Sequence, residues 1–290
     1  MSNYIIDKVM VWQDGKTSNK SIVVKGDKVD SVHNSVKQLR MMKQNLENFI
    51  MSPVTTTVFN ESNLPASWSL YEQHVLNGIG MILIPVEVPY EYLLAPRLEE
   101  IRKLMKDSPL DYLLAIKVAQ KTVSPKLMQR CIKERISTVF VKITNLDELQ
   151  RLPWSWIRQF SFPYNPTFIP IFRQEIANDK AKTIWSKIMT DTKLSHSKES
   201  LTEGEPISIQ ILKKIGLYPI KGYLRNNGEL SYNLFYSSHD TSDFNGISEG
   251  EYDKLVVTVL NGKVVRAGAT LSLAEKKGSE IKIRIPGFLI

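Results

Sequence analysis

Apolar and polar positions alternate at both ends of the chain and give way to unbroken apolar runs in the middle. Near the amino end, Ile5, Val9 and Val11, then Ile22-Val23-Val24, then Val29 and Val32 are interrupted by Asp14-Gly15 and Gly26-Asp27. This pattern predicts strands joined by tight turns. The carboxyl end repeats it, with Leu230 to Tyr236, then Leu255 to Leu260, a turn at Asn261-Gly262, and Val264-Val265. Asn-Gly between two apolar runs is a strong short-range hairpin signal, because both central residues must take positive φ.

The middle reads differently. Thr55 to Phe59, Met81 to Val86, Tyr112 to Val118, Thr138 to Ile143 and Thr167 to Phe172 are mostly continuous apolar runs, the kind that parallel sheets bury on both faces. Helical spacing lies between them at Ser67 to Leu76, Pro96 to Lys106, Pro125 to Arg135 and Leu146 to Ile157, followed by Asp179 to Thr190 and Pro206 to Ile215. The polar stretch from Asp191 to Glu205 predicts an exposed loop. Alternation of strand and helix argues for a right-handed α/β unit, either part of a barrel or an open sheet.

Composition narrows the class. At 290 residues and 42% hydrophobic, the chain can bury a sizeable core. The first residues lack the basic start and apolar run of a signal peptide, and no uncharged apolar window is long enough to span a bilayer. The expectation is a soluble, cytoplasmic protein with no membrane partner. The single cysteine, Cys131, excludes an internal disulfide and any multi-thiolate zinc site, and is expected on the buried face of a helix. The net charge of +8 is interspersed rather than blocked, and no aromatic-basic repeat or zinc-finger spacing accompanies it, which argues against nucleic acid. Gly78-Ile79-Gly80 lacks the spacing of a phosphate loop.

Four stretches carry a resemblance. They are Ser21 to Val29, Phe49-Ile50-Met51-Ser52-Pro53, Gly78-Ile79-Gly80-Met81-Ile82, and Gly216-Leu217-Tyr218-Pro219-Ile220-Lys221-Gly222 together with Val259 to Val265. In order and spacing they resemble the amidohydrolase superfamily, dihydroorotase and hydantoinase branch. The resemblance implies a small composite β-sandwich from both chain ends (residues 1–52 and 217–290) carrying a TIM-like α/β barrel (53–216). It further implies two metal-binding histidines after the first barrel strand, a bridging lysine at the end of the fourth and a histidine after the fifth.

Those ligands do not carry over. Phe59 and Glu61 stand at the paired-histidine positions, and a phenyl ring has no lone pair for a cation. Lys142 fits the place of the bridging lysine, or is a strand-end lysine with its amine in water. Phe172 and its neighbours contain no histidine. The four histidines, His33, His74, His196 and His239, are scattered, and zinc chemistry needs several converging ligands. The stretch from Arg173 to Ile215 is also too short for three more strand-helix units of roughly 30 residues each, so the barrel is expected to be truncated.

The sequence therefore predicts a catalytically inactive amidohydrolase-like protein with a binding or assembly role and no cofactor. The alternative is a divergent hydrolase of cyclic amide C–N bonds that uses a divalent metal such as zinc. Glu87, Glu91 and Glu175 fall where barrel loops would form a pocket, so they are candidates for an acid–base pair or for plain surface carboxylates. The aromatic segment containing Trp154, Trp156 and Tyr164 reads as core, lid or partner surface. A shortened sheet exposes an edge that must be covered by a loop, by the sandwich or by another subunit, which predicts a homo-oligomer or a protein partner.

Overall fold

The computed structural model describes residues 3–36, 39–237, 254–274 and 276–287; His239 lies outside them. In chain order the elements begin β1 (Asn3–Gln13), β2 (Lys16–Lys25), β3 (Lys28–His33), β4 (Met42–Asn45), β5 (Phe49–Pro53), β6 (Thr55–Val58), α1 (Trp68–Leu76) and β7 (Ile79–Glu87). They continue with α2 (Leu94–Leu104), β8 (Asp111–Ala119), α3 (Pro125–Glu134), β9 (Thr138–Ile143), α4 (Leu146–Gln150), α5 (Trp154–Ser161) and β10 (Thr167–Phe172). The remainder is α6 (Asp179–Asp191), α7 (Ile209–Ile215), β11 (Gly228–Glu229), β12 (Tyr232–Tyr236), β13 (Leu255–Leu260), β14 (Lys263–Ala267) and β15 (Thr270–Leu271). The chain is an α/β protein with one incomplete barrel-like sheet and one mixed sheet drawn from both chain ends.

Two compact units result: Met1–Thr56, Ser67–Met81 and Tyr218–Lys276 form one, and Thr57–Ala66, Ile82–Leu217 and Lys277–Ile290 the other. Beyond a shift of a few residues at the junctions, two segments group differently from the expected division. Ser67–Met81 joins the terminal strands, and the carboxyl-terminal segment joins the α/β layer.

In the first unit, ten strands form one mixed sheet in the order β11-β3-β2-β1-β5-β12-β13-β14-β15, with β4 on β1. The alternation read from sequence sorts its side chains by face. Ile6, Val9, Val11, Ile22, Val24, Met51, Leu234 and Val259 share one buried cluster, whereas their neighbours Ile5 and Val23, and Ile50 and Phe235, belong to separate clusters. Because strands from well-separated positions along the sheet meet in one cluster, the sheet wraps around that face. Asn261 (φ 50°) and Gly262 (φ 74°) make the expected tight turn between β13 and β14. Gly78 takes φ 70° between α1 and β7, where an added Cβ would sit 2.6 Å from Asn233 Nδ2. That amide donates to Gly78 O at 2.8 Å while Asn233 Oδ1 accepts from Thr258 Oγ1 at 2.9 Å.

In the second unit the five-stranded sheet runs β10-β9-β8-β7-β6. The helices begin where the sequence offers a cap: Ser124 accepts from Leu127 N with Pro125 at the first position, and Asn178 accepts from Ala181 N. The helix expected over Leu146 to Ile157 is two helices. Pro153 has no N–H to continue the hydrogen-bond ladder, and α5 restarts at Trp154.

Residues 192–205 form a mostly exposed loop, as expected, which also bridges to the sheet edges. At one edge, Phe168 N donates to Ser195 O and Ser197 N donates to Phe168 O, each at 2.8 Å. At the other, bridges join Thr57 to Pro206 and Val58 to Glu203. One segment of the chain therefore passes from the β10 edge to the β6 edge and pairs with both. The edge invoked for self-association is met within the chain at Phe168, and the opposite edge at Thr57 and Val58. The carboxyl-terminal segment adds to β8, with Tyr112 N donating to Ser279 O at 3.0 Å and Ile281 N to Tyr112 O at 2.8 Å. Arg102 fixes it, its Nε and Nη2 lying 3.0 and 3.1 Å from the two carboxylate oxygens of Glu280.

Candidate functional site

Parallel α/β sheets place ligands beyond the carboxyl ends of their strands, where the following loops converge. Strand register decides which side chains arrive there together. Lys117 pairs with Phe140 and Ala119 with Lys142 across β8 and β9, while Ile169 pairs with Phe140 and Ile171 with Lys142 across β9 and β10. Paired residues of parallel strands share a face, so Lys117, Lys142 and Ile171 lie on one side of the sheet. Phe172 pairs with Ile143 and belongs to the opposite face. Phe172 therefore lies on the face away from Lys142, and Ile171 stands on the Lys142 face.

Glu87, at the end of β7, is the centre of the resulting cluster. Lys142 Nζ donates to Glu87 Oε1 at 2.8 Å and lies 2.7 Å from Oε2; Lys117 Nζ stands 3.4 Å from Oε2. Glu61 is engaged from two directions. Arg97 forms an ion pair with its Oε1, and the Glu87 backbone N–H donates to its Oε2 at 2.6 Å. Arg97 also donates to Glu87 O at 3.3 Å, which ties the first turn after β6 to the end of β7. Phe59 is fully buried, its N–H donating to Leu83 O at 2.9 Å, so it continues strand pairing one residue beyond β6.

The loops are held by Gln120 and Glu203. Gln120 Oε1 accepts from Thr144 N and Asn145 N at 2.9 and 3.2 Å, and its Nε2 donates to Asn145 O at 3.0 Å. Glu203 accepts from Asn60 N, Asn60 Nδ2 and Asn63 Nδ2 at 3.1, 3.2 and 2.7 Å, fixing the bridging segment to the end of β6.

Glu87, Glu91 and Glu175 do not assemble into an acid–base pair. Glu91 accepts from Ser124 Oγ at 2.9 Å and lies 3.0 Å from Lys126 Nζ, at the start of α3. Desolvation pushes its carboxyl up, but hydrogen bonds from Lys126 and Ser124 outweigh that and bring it below the usual carboxylate range. Glu175 is exposed and paired with Arg173 at 3.0 Å. The aromatic candidates also separate. Trp154 is buried and donates from Nε1 to Leu149 O at 2.8 Å, and Tyr164 is buried with its hydroxyl donating to Ile283 O at 3.1 Å. Both are core, and burial pushes the Tyr164 hydroxyl well above its ordinary range. Trp156 alone of the three is exposed, at 59%.

Among the described residues no group of three or more His, Cys, Asp or Glu side chains could hold a metal ion. The donor chemistry at the strand ends agrees. A divalent cation there would find one buried phenyl ring and two carboxylates already matched to Arg97, Lys117 and Lys142. The residues present do not fit a metal. Sequence reading missed Arg97, Lys117, Gln120 and Glu203. Lys117 was signalled, as a lone lysine inside Leu113-Leu114-Ala115-Ile116-Lys117-Val118; the other three carry no local pattern.

No family model and no curated protein matches the chain. Solved structures do. A D-hydantoinase from Bacillus sp. AR9 is 8% identical, with 98% of this chain and 99% of that chain covered and a TM-score of 0.70. Dihydropyrimidinase from Brevibacillus agri NCHU1002 is 9% identical over 97% and 98% of the two chains, with a TM-score of 0.65. A D-hydantoinase (dihydropyrimidinase) from Thermus sp. is 10% identical over 98% and 100%, with a TM-score of 0.63. At these identities the likeness is one of fold.

Proposed function

We propose that this chain is a catalytically inactive protein built on the hydantoinase type of fold, and that its role is binding rather than hydrolysis. The observation that carries this reading is the neutralisation of Glu61 and Glu87. Metal-assisted hydrolysis needs converging ligands with an open coordination position and a bound water whose pKa the ion lowers. Here Arg97 saturates Glu61, and Lys142 and Lys117 saturate Glu87. An arriving cation would have to displace three basic side chains and would meet their repulsion.

Binding is favoured over assembly because both edges of the five-stranded sheet are already bridged, at Phe168 and at Thr57 and Val58, by residues 195–206. Trp154 and Tyr164, two of the three aromatic residues offered for a partner, are buried.

The test combines metal titration with turnover. Purified protein is titrated with Zn²⁺ and Mn²⁺ by calorimetry and assayed against hydantoin and dihydrouracil, substrates of the kind named for the structural relatives. The expected result is no stoichiometric metal and no ring opening above the uncatalysed rate. One equivalent of tightly held metal together with hydrolysis, both lost in Glu87→Gln, would overturn the reading.

A further inference from the structure

A second polar site lies at the amino end of β10, away from the strand ends just described, and it does not depend on the function proposed above. A cleft of about 510 Å³ is lined by Arg158, Asn165, Lys193, His196 and Lys214, with apolar walls from Phe162, Leu194, Ile285 and Pro286 among others. Four parts of the chain supply its polar lining. The end of α5 supplies Arg158, the turn into β10 supplies Asn165, and the bridging segment after α6 supplies Lys193 and His196; Lys214 reaches in from α7.

Three properties of the cleft point to an anion. Its lining holds an arginine and two lysines but no carboxylate. Like charges held together repel, and a bound counter-charge relieves that repulsion. The surroundings agree: burial lowers the basicity of His196, with Lys214 and Lys198 adding to it, and no acidic neighbour opposes them. Second, Nη1 of Arg158 and Oδ1 of Asn165 are buried without a hydrogen-bond partner. Buried polar atoms are rarely left so. Third, the guanidinium of Arg158 rests over the Phe162 ring at 5.6 Å to the centroid, and Lys214 Nζ is held by His196 O at 2.6 Å. Both cations are therefore oriented before any ligand arrives, which lowers the ordering cost of binding.

We infer that this cleft binds a phosphate monoester, with Arg158, Lys193 and Lys214 around the phosphoryl group and the organic part packed on Phe162, Leu194, Ile285 and Pro286. A phosphate monoester carries close to two negative charges near neutrality and so answers the cationic lining. A carboxylate brings one charge.

The probe is phenyl phosphate, titrated into the full chain by calorimetry at low ionic strength, with benzoate, phenol and inorganic phosphate as comparison arms. Phenyl phosphate is expected to bind saturably below about 1 mM, an affinity within reach of a few charge-assisted hydrogen bonds. Inorganic phosphate is expected to compete more weakly, and benzoate and phenol to fall at least about tenfold behind. Arg158→Gln and Lys214→Met are expected to weaken phenyl phosphate at least about tenfold each, while Lys121→Met, an exposed lysine elsewhere, leaves it unchanged. Lys193→Met, at an exposed position, keeps the test decisive should the other variants not fold. Absence of saturable binding, equal affinity for benzoate, or insensitivity to the Arg158, Lys193 and Lys214 changes would each overturn the assignment.

Discussion

Lys142 Nζ sits 2.8 and 2.7 Å from the two carboxylate oxygens of Glu87, so one ammonium group spans a carboxylate that a metal ion would otherwise need. Both side chains are more than a third exposed, and water screens the pair. Lys142→Met is therefore expected to cost under about 1 kcal/mol in urea denaturation. Glu87→Gln should cost more, because Lys117 and Lys142 then face each other without a counter-charge. A Lys142→Met cost above that of Glu87→Gln would contradict this account of the cluster.

Phe59 sits at a position fully withdrawn from water. Truncation to alanine leaves a cavity that close-packed neighbours cannot fill, so Phe59→Ala is expected to destabilise by about 3–5 kcal/mol. Chemical denaturation measures it. A loss under about 1 kcal/mol would mean that the ring fills no core.

Gly278 lies against the turn that leads into β8, with its N–H donating to Ser108 O at 2.7 Å. A Cβ built there would stand 2.0 Å from Leu110 O, a backbone atom that cannot swing aside. Gly278→Ala is expected to cost about 1–3 kcal/mol and to loosen the carboxyl-terminal segment. The readout is faster hydrogen exchange at Tyr112 and Ile281, whose amides bond across that contact. Unchanged exchange and stability would place the segment elsewhere.

His196 is held below its ordinary pKa first by burial and then by Lys214 and Lys198, against the hydrogen bond of its Nδ1 to Leu194 O. The unfolded chain therefore takes up the proton first, so stability is full above about pH 7 and declines as pH falls through about 6.5. Thermal melts should show a smaller drop between pH 7.5 and 5.5 in His196→Gln than in the native chain. An equal drop in both would remove His196 as its source.

The amides of Phe168 and Ser197 bond across the β10 edge. Both are expected to exchange slowly, with protection comparable to that of central β9 amides. Glu203→Ala, which removes the acceptor of Asn60 and Asn63 at the other edge, should cost about 1 kcal/mol and raise exchange at Gly204. Fast exchange at Phe168 in the native chain would show that the edge is open and would restore the case for a partner.

The sequence by itself determined the local elements and one chemical fact. Period-two alternation sorts Ile5 from Ile6 and Ile50 from Met51, Asn261-Gly262 sets a hairpin, and Ser124 with Pro125 starts a helix, because each signal lies within a few bonded residues. The absence of a histidine pair after β6 is equally local, since Phe59 and Glu61 are read directly. The tertiary structure alone decided what those residues do. Arg97 reaches Glu61, Lys142 reaches Glu87 and Glu203 reaches Asn60 because strand order and register bring distant segments together, and no periodicity encodes such meetings. The same holds for Trp154 and Trp156. Both sit in one aromatic run, but positions two apart on a helix point about 200° around its axis from each other, so packing of α5 buried one and left its neighbour in water.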